Sequence, residues 1–219
     1  MREKLISCLG DSYIPPIFDL FEKIESKFSD DHNHNRKSFT ENGYSVSIIS
    51  LAMQYFESLL KRARYFSKSK FKDKNGYVFF EKRYPSKKEL IQKCKEIYFV
   101  RNSIVHNFIW KRNSNIDYRT MKESRIYIKF LKDEFGDRTI HDAFDLDEKI
   151  TKTLKLNVYP SNIGISDVKI ILKTISEILS FLKDHALKSK KFQPLSFAGY
   201  YTYKGEEYSF FEFIKKFCN

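Results

Sequence analysis

Cysteine is scarce in this chain of 219 residues: there are three, at positions 8, 94 and 218, with no Cys-x-x-Cys pair or other close ligand spacing. This argues against a disulfide framework and a cysteine-built zinc site, and it fits a reducing cytoplasm. Long apolar runs are missing too. No stretch approaches the ~18 apolar residues that a bilayer-spanning helix needs, and the N-terminal MREKLISCLGDS lacks the apolar segment of a signal peptide. A cytoplasmic chain without a membrane partner is the expectation. Nor does the sequence hold a GxSxG elbow, a Walker loop, a GxGxxG turn or an H-E-x-x-H helix. Esterase, NTPase, dinucleotide-binding and zincin chemistries therefore have no support.

Acidic residues are outnumbered: 28 Asp+Glu face 40 Lys+Arg, for a formal net charge of +12 and a pI near 9.4. Such an excess sets no fold, but it favours a polyanionic partner, nucleic acid before an anionic membrane. With 42% apolar residues, the chain is long enough to bury a core as one domain with insertions or as two small domains.

Periodicity divides the chain. Ile17, Phe21, Ile24 and Phe28 recur at helical spacing after Pro15-Pro16, and the polar stretch SDDHNHNRKSFTENG (29–43) reads as a loop. A longer helix is predicted from Ser45 to Lys68, with Ile49, Met53, Phe56, Leu60 and Ala63 on one face. GYVFFEKRYP reads as a short strand ahead of Pro85. Ser86 and Glu89 then form a capping-box pattern that opens another helix. Over 111–164, RIYIKFL and TLKLNVY alternate as short strands among Gly136, Pro160 and Gly164, as in an insertion on a helical core. A further helix begins at Ser166, carrying Val168, Ile171, Leu172, Ile175, Ile178, Leu179 and Leu182. In the aromatic tail, YYTYKGEEYSF reads as a hairpin around Lys204-Gly205 and FFEFIKKF as a closing helix. Core packing and subunit contact are both open uses for those rings.

One position breaks the pattern. Leu90, Cys94 and Ile97 mark an apolar stripe, yet its next member is Arg101, in the stretch RNSIVHN (101–107). At about 100° per residue, Asn102 and His106 share a helical face, and Arg101 is long enough to curl toward the same place. A guanidinium on an apolar stripe needs a counter-group, because burying it alone is expensive. Glu57, beside Phe56 at the edge of the preceding long helix, is the best candidate. Such a pair would hold the Arg and leave its other donors for an anion. Periodicity alone is met better by a snorkelling cation beside a satisfied histidine.

Arg101-Asn102-Ser103-Ile104-Val105-His106 resembles the R-x4-H signature of the HEPN superfamily, including the Asn that often follows its Arg. YFESLLKRA, with Glu57 and Lys61, is similar to the helix that precedes the signature helix there and supplies an acidic residue. LKLNVYPSNIGISDVKIILKTISEIL is similar to the strand-then-helix segment that follows it in many bacterial members. The likeness in pattern spans roughly 45–187, and the six-residue window is its specific part. The likeness implies an up-and-down helical bundle; with the residue patterns read above, the expected fold is mainly α, with a small α/β insertion and an aromatic C-terminal hairpin and helix. Its parts would be an N-terminal helix and polar loop (1–43), a core (44–191) interrupted by the insertion 111–164, and a C-terminal extension (192–219). It also implies a homodimer whose signature helices meet across a cleft, and a metal-independent endoribonuclease, without cofactor, of a toxin–antitoxin or phage-defence system. An antitoxin or regulatory protein is then a further partner. In a subgroup silenced by nucleotidyltransferase antitoxins, a Tyr stands two positions after the His; here Phe108 stands there, which argues against inhibition by that route.

RNA carries its own nucleophile, the 2′-hydroxyl, so cleavage needs proton transfer and charge stabilisation but no metal. Histidine, with an ordinary pKa of ~6.5, exchanges protons near neutrality, which gives His106 the acid–base role. Arg101 would stabilise charge on the phosphorus, where its planar fork suits two oxygens. Asn102 would orient the His or a phosphate, with Asn107 a weaker candidate. The products would be a 2′,3′-cyclic phosphate and a 5′-hydroxyl. KRARYFSKSKFKDK (61–74) carries seven Lys/Arg against one Asp. Lys61, Arg62, Arg64, Lys68 and Lys70 could track phosphates there while a ring stacks on a base, or the segment is simply a solvated helix end. The rival readings are a non-catalytic RNA- or nucleotide-binding module and a helical scaffold for a protein partner. His32 and His34, beside Asp30 and Asp31, read as a polar loop rather than a metal site, and His141 and His185 have no partners that the sequence can name.

Overall fold

A computed structural model of the chain describes residues 9–28, 37–66, 76–106, 110–117, 119, 122–130, 143–145, 147–185 and 199–218. The fold is mainly α. A short 3-10 helix, Leu9–Tyr13, leads into α1 (Ile14–Glu25). It is followed by α2 (Phe39–Phe66), α3 (Gly76–Arg83) and α4 (Lys88–His106). An antiparallel pair, β1 (Trp110–Asp117) and β2 (Lys122–Phe130), comes next. A second, two-residue pair joins β3 (Phe144–Asp145) to β4 (Ile150–Thr151). The chain closes with α5 (Ile165–His185), the hairpin β5 (Tyr200–Tyr203) and β6 (Glu206–Ser209), and α6 (Phe210–Phe217).

Among the described residues no helix is long and apolar enough to cross a membrane. The helices instead turn their apolar stripes onto one continuous cluster of buried side chains drawn from α1, α2, α3, α4, α5 and α6. Pro15 and Pro16 sit in the first turn of α1, where a missing N–H costs nothing. Ile17, Phe18, Phe21 and Ile24 are buried against α2 and the tail. The tail's rings serve packing: Phe18 stacks on Phe213 at 3.9 Å, and Tyr203 meets Phe18, Phe21, Phe213 and Phe217 edge-on or tilted. The hydroxyl of Tyr203 donates to Glu25 at 2.7 Å, and Lys204 reaches the same carboxylate at 2.6 Å. Such geometry lets buried aromatics contribute beyond their area.

Three expectations need correction. GYVFFEKRYP is no strand: Gly76–Arg83 is helical, with Phe79 and Phe80 buried and Glu81 bonded to Lys95 of α4 at 2.7 Å. Packing between α2 and α4 overrides the strand preference of its aromatics. The loop expected to run to Gly43 ends earlier, since α2 begins at Phe39. The Ser38 hydroxyl accepts from the Glu41 N–H at 3.1 Å, an N-cap whose Ser-x-x-Glu spacing is written in the sequence. TLKLNVY forms no strand. It makes one bridge, Asn157 to Ile150; the Val158 N–H donates to the Lys149 carbonyl, and other N–H groups of the segment turn to side chains. Thr153 and Leu154 donate to Glu96, and Asn157 donates to Asp167.

The helix opened by Ser86-x-x-Glu89 starts at Lys88. Its Glu89 reaches forward to Lys93 at 3.0 Å rather than back to Ser86.

The hairpin turns where expected, with Lys204 at φ 50° and Gly205 at φ 80°. Both central residues are left-handed, as a turn matching the twist of two strands requires. Nothing lies near a side chain added at Gly205 or at Gly43, which sits exposed within α2. Backbone preference alone therefore sets the sign at each. Gly205→Ala should lower stability by about 1 kcal/mol, while Gly43→Ala should raise it by roughly 0.5–1 kcal/mol; paired urea titrations of the two variants would show the opposite shifts.

Candidate functional site

Helices α2 and α4 pack together, and their contact decides the surroundings of Arg101. The guanidinium is half-buried, with 30% of its side chain exposed, and Nη2 lies 3.9 Å from Glu57 Oε1 on α2. The same carboxylate, through Oε2, stands 4.0 Å from Lys61 one turn along. Two cations thus share Glu57, each beyond hydrogen-bonding reach. Arg101 Nη1 donates to Asn102 Oδ1 at 3.0 Å. Among the described residues that is the hydrogen bond the guanidinium makes, so the fork keeps donors for an incoming oxyanion.

The structure brings Arg101, Asn102, Glu57 and Lys61 into one neighbourhood. Asn102 meets the guanidinium of Arg101 directly. α4 runs to His106, its final residue. The His106 imidazole, Asn107 and Phe108 lie outside what is described, as do Lys68, Lys70, His32, His34 and His141. Arg62 and Arg64 are half-buried in the last turns of α2, and Lys61 is exposed. The exposed His185 stacks on Phe181 at 4.1 Å, its Nδ1 2.9 Å from the Phe181 carbonyl oxygen.

Sequence reasoning missed three polar groups. Glu96, on α4, is fully buried and accepts from the N–H groups of Thr153 and Leu154 at 3.0 and 2.8 Å, with Gln92 adding a bond at 3.0 Å. Asp167, on α5, is equally buried and accepts from the N–H groups of Asn157 and Gly164 at 2.8 and 3.0 Å, and from the Asn157 amide at 3.0 Å. These carboxylates fasten the segment between β4 and α5 to the helices and so hold α4 in place. The third is Tyr98, 5% exposed, whose hydroxyl is buried without a hydrogen-bond partner. Such an orphan costs roughly 1–3 kcal/mol. Burial holds the phenol well above the ordinary tyrosine range; Cys94 and Glu57 push it further up, and Arg101 opposes them. Its place three residues before Arg101 on the same face was the signal available.

What fold and site define together is a mainly α protein with a half-buried, under-bonded guanidinium held between two helices. No protein-family model, curated protein or solved structure matches this chain.

Proposed function

We propose that this protein is a metal-independent endoribonuclease of the HEPN type, acting as a homodimer in a toxin or phage-defence setting. The observation that carries the reading is Arg101. A cation occupies a core position of α4, is loosely paired with Glu57 across the helix contact, and retains donors at a partly exposed edge. A permanent charge with unused donors in a half-desolvated place is suited to gripping a phosphodiester. The R-x4-H spacing and the net charge of +12 support the same reading.

In this mechanism Arg101 binds the non-bridging phosphate oxygens and stabilises the charge that grows on them as the 2′-oxygen attacks phosphorus. Asn102 holds the guanidinium in register. His106 moves the proton, either off the 2′-hydroxyl or onto the departing 5′-oxygen. One histidine supplies one proton-transfer group, and a second copy across a two-fold cleft would supply the other. Val105, an apolar side chain left 52% exposed one residue before His106, is available for such a contact. The bond broken is P–O5′ and the bond formed is P–O2′, which leaves a cyclic phosphate and a 5′-hydroxyl.

The test is incubation of the purified protein with total RNA in excess EDTA. Cleavage should persist, with 2′,3′-cyclic phosphate ends. Arg101→Lys, which keeps the charge but loses the planar fork, should cut more slowly by on the order of 10²-fold. Cleavage abolished by chelation would refute the mechanism. Binding without cleavage would leave a non-catalytic RNA-binding module in its place.

A further inference from the structure

Tyr98 carries a buried hydroxyl that the resting structure leaves without a hydrogen-bond partner. Its ring is clamped between α2 and α3, at 6.1 Å from Phe56 and 5.4 Å from Tyr77 between ring centres. The hydroxyl is pressed against the start of α3. A Cβ added at Gly76 would stand 2.5 Å from the Tyr98 oxygen and 2.8 Å from Leu60 Cδ1. That contact places the hydroxyl beside the turn of α2 that carries Leu60, and Glu57 stands on the same turn three residues earlier. A phenylalanine would fill this space with the same packing and no orphaned oxygen, so the resting fold gives the hydroxyl nothing to do.

Glu57 supplies the complement. Its carboxylate has cations near 4 Å on two sides and no hydrogen bond to either. If Arg101 turns to a phosphate, Glu57 loses one of those cations while still only one-quarter exposed. A half-buried carboxylate in that state draws the guanidinium back unless another donor takes its place. We propose that Tyr98 is a positioning residue of this site: its hydroxyl donates to Glu57 when Arg101 is handed to the substrate phosphodiester, and so lowers the cost of that transfer. The inference rests on the ribonuclease reading of the same site. It assigns no bond-making role to Tyr98, which acts through Glu57 and Arg101. Gly76 has a role in it too, because only a residue without Cβ lets the hydroxyl sit there.

The experiment compares the full-length wild type with Tyr98→Phe, Glu57→Ala and the double variant. It measures thermal transitions, binding of a single-stranded RNA 20-mer by fluorescence anisotropy, and single-turnover cleavage of that RNA. Tyr98→Phe should melt no lower than the wild type, because an unpaired hydroxyl is removed, yet should cut RNA about tenfold more slowly. Adding Tyr98→Phe to Glu57→Ala should cost nothing more. Wild-type rates in Tyr98→Phe would overturn the inference, as would an equal loss in both backgrounds. If Tyr98→Phe fails to fold, Gly76→Ala takes its place, since the new methyl displaces the hydroxyl; full activity in that variant overturns the inference as well. If the wild type binds the RNA without cutting it, the catalytic reading fails by itself. The affinity ratio of wild type to Tyr98→Phe then decides the positioning role, and equal affinities sink it. A wild type that neither binds nor cuts sinks both.

Discussion

His106→Ala should reduce RNA cleavage by about 10²–10⁴-fold, the usual worth of a positioned proton-transfer group, when cleavage is measured in excess chelator. Arg101→Ala should lose a comparable factor, because charge on the pentacoordinate phosphorus would then lack its fork. The two losses should not multiply. Groups that act together on one transition state fail together, so the double variant should be little worse than either single one. RNA affinity should separate them. Arg101→Ala removes a phosphate contact and should lower both affinity and its salt dependence, whereas His106→Ala should still bind. A His106→Ala protein that cuts at the wild-type rate would show that the imidazole is not the acid–base group, and equal cleavage by both variants and the wild type would point to a contaminating nuclease.

The second large effect concerns stability. Asp167→Ala should cost on the order of 3 kcal/mol or more, because it strands the buried N–H groups of Asn157 and Gly164 and the amide of Asn157 at once. For a chain of this size that is a fall of roughly 10 °C in the thermal midpoint. Glu96→Ala should behave alike through Thr153 and Leu154, with one difference. Glu96 lies on the helix that carries Arg101, so its loss should also loosen that helix and slow RNA cleavage at temperatures where the protein is still folded. Hydrogen exchange at residues 153, 154, 157 and 164 would locate the damage: faster exchange confined to the first two amides in Glu96→Ala and to the last two in Asp167→Ala. Midpoints within a degree of the wild type would mean that water replaces these carboxylates without penalty.

Local signals were legible where a single element carries its own reason. The apolar stripes of α1, α2 and α5 and the hairpin turn at Lys204-Gly205 all follow from spacing or backbone preference within a few residues. The start of α2 was equally available, because Ser38 and Glu41 have capping spacing, but the polar residues before them outweighed it. The strand expected at residues 76–85 failed for a different reason. Two phenylalanines and a valine favour a pleated surface only if a neighbouring strand exists, and here the neighbours are two helices.

The candidate site divides in the same way. The mismatch at Arg101 is visible as a charge on an apolar stripe, and α2 offers Glu57 at the edge of its buried face. Sequence cannot reveal that the carboxylate stops near 4 Å, shared with Lys61, nor that Asn102 accepts from the other terminal guanidinium nitrogen. Those distances depend on how far apart two helices settle, which the bulk of Phe56, Leu60 and Tyr98 between them determines.

By itself, then, the amino-acid order determined the helical faces, the hairpin and the basic character of this chain, since each depends on neighbours a few positions away or on a simple sum of charges. The tertiary structure decided the rest: which acid meets Arg101, which carboxylates hold the segment after β4, and that a tyrosine hydroxyl is sealed beside Gly76 without a partner. These are meetings between residues tens of positions apart, and their geometry exists only once the core has closed.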